Sequence, residues 1–217
     1  MLVKRVTYKE WAGISIVGQE LWKISDSTSS HLTRAAWLTA YVETGAKIGT
    51  VQSYDGAGMS AGIEHKIAIY PKNLEQGSLW NLLGKLPKTN KVQKLFDALE
   101  EKGWYLDERS ILRKSSNGAV VPGNEIRNEF APPNGTVPAS GINYEKAVVW
   151  ARLWHEAFSD KETVSVQIQQ AKKSLLLSHK DIESKVYKKY ASLEDASAAT
   201  IANLGFELDL AMCVYHS

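Results

Sequence analysis

The chain has 217 residues, 44% hydrophobic and 23% charged, with a net charge of +2. That balance is the one expected of a globular chain with a sizeable core, and the charge is too small to argue for a nucleic-acid partner. A single cysteine, Cys213, excludes an internal disulfide, no run of 18 apolar residues offers a membrane span, and the first 23 residues lack an apolar block of signal-peptide length.

Taken in chain order, the first clear element is residues 29–44, "SSHLTRAAWLTAYVET". Ser29 or Ser30 can cap it, its apolar residues fall at helical spacing, and Gly45 supplies the residue that ends it. Glu43 then sits in the last turn, where the negative end of the helix dipole disfavours a carboxylate and raises its expected pKa. Residues 46–63 are too rich in glycine for a helix, and Asp55-Gly56 is a turn signal, so a small β-hairpin is expected there. The stretch from Ile63 to Tyr70 reads equally as strand or helix. Two short helices follow, in "NLEQGSLWNLLGKL" and in "TNKVQKLFDALEEKG", the second ended by Gly103.

Residues 104–141 read as an irregular insertion or linker, with a hairpin around Asn117-Gly118 and a Pro/Gly loop in "FAPPNGTVPASG". Three helical segments are expected after it, over 143–158, about 161–190 with a break near Ser178, and 192–214. The pattern is α+β with sparse strand content. It divides into an N-terminal lobe over 1–103, the 104–141 segment and a C-terminal helical lobe over 142–217, together one composite domain.

The chemistry-bearing residues exclude several classes. The five histidines are scattered and form no metal-ligand cluster, so no metal or organic cofactor is expected. Cys213 lies in an apolar stretch and reads as a core filler. The run "GAGMSAG" lacks the preceding buried strand and following helix of a dinucleotide loop. A pair of carboxylates fits better. Glycosidic cleavage needs a protonated acid at the leaving oxygen, and an inverting enzyme needs a second carboxylate about 6.5–9.5 Å away to activate water. A helix end carrying Glu43 and a facing hairpin carrying Asp55 would supply that arrangement. Asp-Gly is also an ordinary turn dipeptide, and an acid in a last turn is often merely solvated.

Glu43-Thr44-Gly45 followed by "YDGAGMSAGI" over 54–63 resembles the signature of the chitosanases of glycoside hydrolase family 46, in the lysozyme-like superfamily. The same layout is similar to goose-type lysozymes, lytic transglycosylases and phage muramidase-like domains. The resemblance implies a mostly helical lysozyme-like fold with a small hairpin beside the catalytic helix. It implies Glu43 as general acid, Asp55 as base and Ser60 as the residue helping to hold the attacking water, with Tyr54 and Gly58 in the substrate-facing motif and His65 where relatives often carry glutamine. "DKETVSVQIQQAKKSLL" and "ANLGFELDLAMCVYHS" are similar to the closing helices of these enzymes, which places Gln167 near the cleft. Trp104, at the start of the irregular region, is the tryptophan expected to stack on a sugar, whereas Trp37, Trp80, Trp150 and Trp154 read as core.

Ala57 stands where the chitosanase pattern has arginine, which shifts the expected substrate from chitosan to peptidoglycan or a related β-1,4 amino-sugar polymer. The natural carrier for such a chain is a phage lysin or virion-borne wall hydrolase, held in the host cytoplasm before lysis or in the phage particle. A lytic transglycosylase or a chitosanase is the alternative, and a non-catalytic wall-binding or phage structural module with a lysozyme-like shape is the rival of a different class.

Overall fold

The computed structural model describes residues 3–8, 11–18, 31–53, 56–130 and 142–174. Its fold is α+β, with small antiparallel sheets set among helices. The expected hairpin is part of something larger. Strands β1 (Val3–Tyr8), β2 (Trp11–Ile16), β3 (Val51–Ser53), β4 (Ser60–Ala61) and β5 (Lys66–Ile67) form one sheet in the order β1-β2-β3-β4-β5, every neighbouring pair antiparallel. Ile14 lies opposite Ser53 and Ile16 opposite Val51. Ile14 donates its N–H to the Ser53 hydroxyl and accepts from it, so a buried serine is satisfied inside the sheet.

Helix α1 (His31–Thr44) precedes β3, and the expected ending holds: Gly45 follows in the left-handed region at φ 65° and donates to Tyr41 O. After β5 come the small ribbon β6 (Ile69–Tyr70) with β7 (Glu75–Gln76), helix α2 (Ser78–Leu83) and helix α3 (Asn90–Glu101). α2 is shorter than the sequence suggests because Glu75 and Gln76 are taken up in strand pairing. The Thr89 hydroxyl caps α3 by accepting from Val92 N–H.

The segment from residue 104 is more ordered than its composition predicts. It forms hairpin β8 (Trp104–Leu106) and β9 (Leu112–Lys114), a turn at Asn117-Gly118 closed by the Arg113–Val120 bridge, and helix α4 (Gly123–Phe130). The Gln76 side chain holds this excursion to the ribbon: its amide donates to Leu112 O and Val121 O, and its oxygen accepts from Leu112 N–H. Helix α5 (Ile142–Phe158) matches its expected span, and residues 161–174 are helical as α6. The remainder of the expected 161–190 helix, the 192–214 helix and Cys213 lie outside the described residues.

The main core joins Ile14 and Ile16 of the sheet to α2, α3, β8, α4 and α5, so Leu112, Val121 and Ile126 share one apolar interior with the N-terminal strands. At its centre the Phe130 ring lies 5.0 Å from Trp150, 6.2 Å from Trp154, 6.3 Å from Trp80 and 6.4 Å from Trp104 by centroid. Three of these four contacts are edge-to-face, the arrangement favoured by ring quadrupoles. A second, smaller core sets Ala36 and Ala40 of α1 against Ile48, Ile63 and Ala171 of α6. It fixes the end of α1 relative to the turn after β4. Replacing Phe130 with Ala removes the ring on which four tryptophans converge, and this change is expected to cost about 3–5 kcal/mol in a denaturant melt, with a shift in tryptophan emission.

Candidate functional site

Glu43 occupies the last turn of α1, with its side chain 27% exposed. The turn of residues 62–65 runs beside it. Gly62 has φ 84° and His65 φ 48°, so the backbone reverses through left-handed positions at both ends. A Cβ on Gly62 would sit 2.9 Å from both the Gln167 side-chain oxygen and a Phe158 ring carbon, which restricts that position to glycine on space as well as conformation. Thr44 ties α1 to the turn by placing its hydroxyl 2.8 Å from Ala40 O and 3.5 Å from Ile63 O.

The turn and the first residue of β5 carry three polar side chains, Glu64, His65 and Lys66. His65 Nδ1 is 4.0 Å from Glu43 Oε2, beyond hydrogen-bond reach. Burial lowers the His65 pKa to about 4, so the ring is neutral at neutral pH and the contact is not an ion pair. Its Nε2 is buried and has no hydrogen-bond partner among the described residues. Glu64 and Lys66 pair with each other at 3.1 Å. Burial raises the Glu43 pKa above its ordinary 4.5, the Glu64 charge adds to the rise, and Lys66 opposes it without reversing it. Glu43 is therefore a carboxyl group that holds its proton to higher pH than a solvated glutamate, partly open to solvent, with no charged base in contact among the described residues.

The other expected site residues fall differently. Tyr54 and Asp55 lie outside the described residues. Ser60 is 4% exposed inside β4, paired with Gln52 and Ile67, and no hydrogen bond links it to Glu43. Gly58, at φ 76°, is buried with its Cβ position 3.0 Å from Arg127 Cα, so it serves the close approach of α4 and is not available to a substrate. Trp104 is 4% exposed and packs edge-on against Phe130, which removes it as a sugar platform. Gln167 is 1% exposed with both ends of its amide engaged: Oε1 accepts from Ile63 N–H, and Nε2 donates to Phe158 O. It is a positioning residue beneath the turn, not a cleft-facing ligand. Of the expected set, the structure brings together Glu43 and His65, with Gln167 supporting them.

Glu64 and Lys66 were not singled out by the sequence. The signal for them was the alternating "EHK" directly after the Gly62 reversal, which puts charge at the mouth of a tight turn. Among the described residues no cluster of three or more His, Cys, Asp or Glu side chains could hold a metal ion, and no helix is long and apolar enough to cross a membrane. Comparison with protein-family models, curated proteins and solved structures finds no match.

The depressed His65 pKa has a consequence for stability. Between pH 6.5 and about 4 the unfolded chain binds a proton that the folded chain excludes. Stability contributed by neutral His65 is present above the unfolded value and lost as pH falls toward 4. Asn tolerates the left-handed backbone at this position, so His65→Asn is expected to fold and to flatten that loss in thermal melts across the range. An unchanged slope would show that another group sets it.

Proposed function

We propose that the chain is a lysozyme-like glycoside hydrolase that cleaves the β-1,4 backbone of peptidoglycan, with Glu43 as the general acid. The observation that carries this reading is the state of Glu43. It is a half-buried carboxyl at the negative end of a helix, its pKa is raised by burial and by Glu64, and it touches no charged base among the described residues. A group in that condition retains a proton to higher pH than a solvated carboxylate, which is what protonation of a glycosidic oxygen demands.

The chemistry runs through the proton on Glu43. Delivered to the scissile oxygen, it converts a poor alkoxide leaving group into an alcohol as the bond to the anomeric carbon breaks and positive charge develops on the sugar. Asp55, twelve residues on in the sequence, is assigned to activate the attacking water or to stabilise that charge. Neutral His65 leaves the acid unneutralised, and the Gln167 bridge holds the turn that forms one side of its surroundings. The carrier that suits a wall-cleaving chain of this kind is a phage lysin or a virion-borne enzyme.

Glu43→Gln preserves size and hydrogen-bonding shape but cannot donate a proton at neutral pH. Loss of general acid assistance costs about 10²–10⁴-fold in rate, and the fold should be retained or slightly stabilised because an unfavourably placed carboxylate is removed. The wild-type rate should fall on the alkaline side as Glu43 ionises. The measurement is release of soluble fragments from purified peptidoglycan against pH, beside a thermal melt of each protein. New reducing ends identify hydrolysis, and 1,6-anhydro ends would reassign the chain as a lytic transglycosylase. Wild-type release by a folded Glu43→Gln protein, or no release by the wild type, contradicts the proposal.

A further inference from the structure

A groove of about 400 Å³ opens beside Lys66, where the turn of residues 62–65 enters β5. That volume is within the usual range for small-ligand sites. Lys66 from β5, Lys85 just after α2 and Lys173 from α6 all line it; Lys66 is paired with the Glu64 carboxylate at 3.1 Å, so Lys85 and Lys173 are the groove cations with no carboxylate partner among the described residues. The three ammonium groups come from segments far apart in sequence, so their convergence is a product of the fold. Lys85 is held in place by hydrogen bonds from Nζ to Asn81 Oδ1 and Gln170 Oε1, which leave one N–H of the ammonium without a partner among the described residues. Burial, Lys173 and Lys66 all lower the Lys85 pKa, so the cations repel one another across the groove. Lys66 lines this groove and is also one of the charges that act on Glu43.

Building on the reading of Glu43 given above, we propose that the Lys66–Lys85–Lys173 groove is an anion subsite that holds a negatively charged substituent of the polymer while its backbone lies at Glu43. A neutral glycan brings no charge to Lys85 and Lys173, which have no carboxylate partner among the described residues. A polymer bearing carboxylates on its peptide stems, or phosphodiesters on an attached chain, replaces cation–cation repulsion with charge-assisted hydrogen bonds. Lys66 also couples the two places. An anion drawn to it weakens its lowering effect on Glu43 and so favours the protonated acid.

The test is calorimetric binding at low and high salt, which reads the subsite without requiring turnover. The probes are soluble glycan fragments with free stem carboxylates, the same fragments with those carboxylates amidated, an oligomer of glycerol phosphate, and a neutral N-acetylglucosamine oligomer. The proteins are wild type, Lys85→Gln/Lys173→Gln and the charge-keeping Lys85→Arg/Lys173→Arg. The Gln pair is expected to bind the anionic probes about five- to twentyfold more weakly, and the neutral probe as well as wild type does. The Arg pair should retain most of the affinity, and the wild-type preference should shrink as salt screens it. Tighter binding of the carboxylate fragments assigns the subsite to stem peptides, and tighter binding of the glycerol phosphate oligomer assigns it to a wall phosphodiester. Equal wild-type affinity for anionic and neutral probes overturns the proposal, as does an Arg pair that binds as weakly as the Gln pair. Because Glu43 is intact in every protein, a failed subsite leaves the activity result unchanged, and failed catalysis leaves the binding result readable.

Discussion

A buried amide holds the turn beside Glu43. Gln167, on α6, accepts a hydrogen bond from Ile63 N–H at 3.3 Å and donates to Phe158 O at 2.8 Å, so one side chain joins the turn of residues 62–65 to the end of α5. Neither backbone group has water to fall back on, since Ile63 is 2% exposed and Phe158 0% exposed. Gly62 completes the arrangement by leaving no Cβ in the space that the Gln167 oxygen and the Phe158 ring require. The small residues Ala36, Ala40 and Ala171 then let α1 close on α6 and on Ile63. Everything that acts on Glu43 follows from that placement, because His65, Glu64 and Lys66 are delivered by the turn or by the strand it enters.

Two glutamates in this fold show how burial and partners decide the fate of a carboxyl group. Glu129 is also buried, which by itself would raise its pKa, but Lys102, Lys146 and the Trp150 indole N–H all hydrogen-bond to it and together hold it below the ordinary value. It is an ionised strut between α4, α5 and the end of α3. Glu43 has burial with only the distant Lys66 charge to offset it among the described residues: the basic side chain beside it is a neutral imidazole, and a second carboxylate pushes in the same direction as burial. The first arrangement stabilises a charge and the second keeps a proton available.

Much of the helical layout was legible because it is local. The apolar spacing from Leu32 to Tyr41 with Gly45 behind it placed Glu43 in a last turn, and the span of α5 followed from Val149, Trp150, Leu153, Trp154 and Phe158. What sequence could not supply was pairing over long separations. β2 joins β3 across more than thirty residues, and β1, which pairs locally with β2, carries Lys4, Arg5 and Thr7 with no continuous alternation to announce it. Residues 104–130 read as irregular from their Gly, Ser and Asn content, yet they are ordered by Gln76 from 36 and 45 residues away and by the Phe130 cluster. Among the site residues, Glu43 carried a local electrostatic misfit that sequence could show. Trp104, Gly58, Ser60 and Gln167 were identifiable as residues of interest, but whether each faced a cleft or a core depended on contacts with distant segments: Phe130, Arg127, the flanking strands and Ile63.

The central claim is that the fold holds Glu43 as an acid with a raised pKa. The direct measurement is the titration of its side-chain carboxyl carbon by NMR, assigned by comparison with Glu43→Gln and repeated in Glu64→Gln. The account predicts a midpoint above the ordinary 4.5 in the wild-type protein and a lower midpoint once the Glu64 charge is removed. A Glu43 that titrates at or below 4.5, or one indifferent to Glu64, would contradict it.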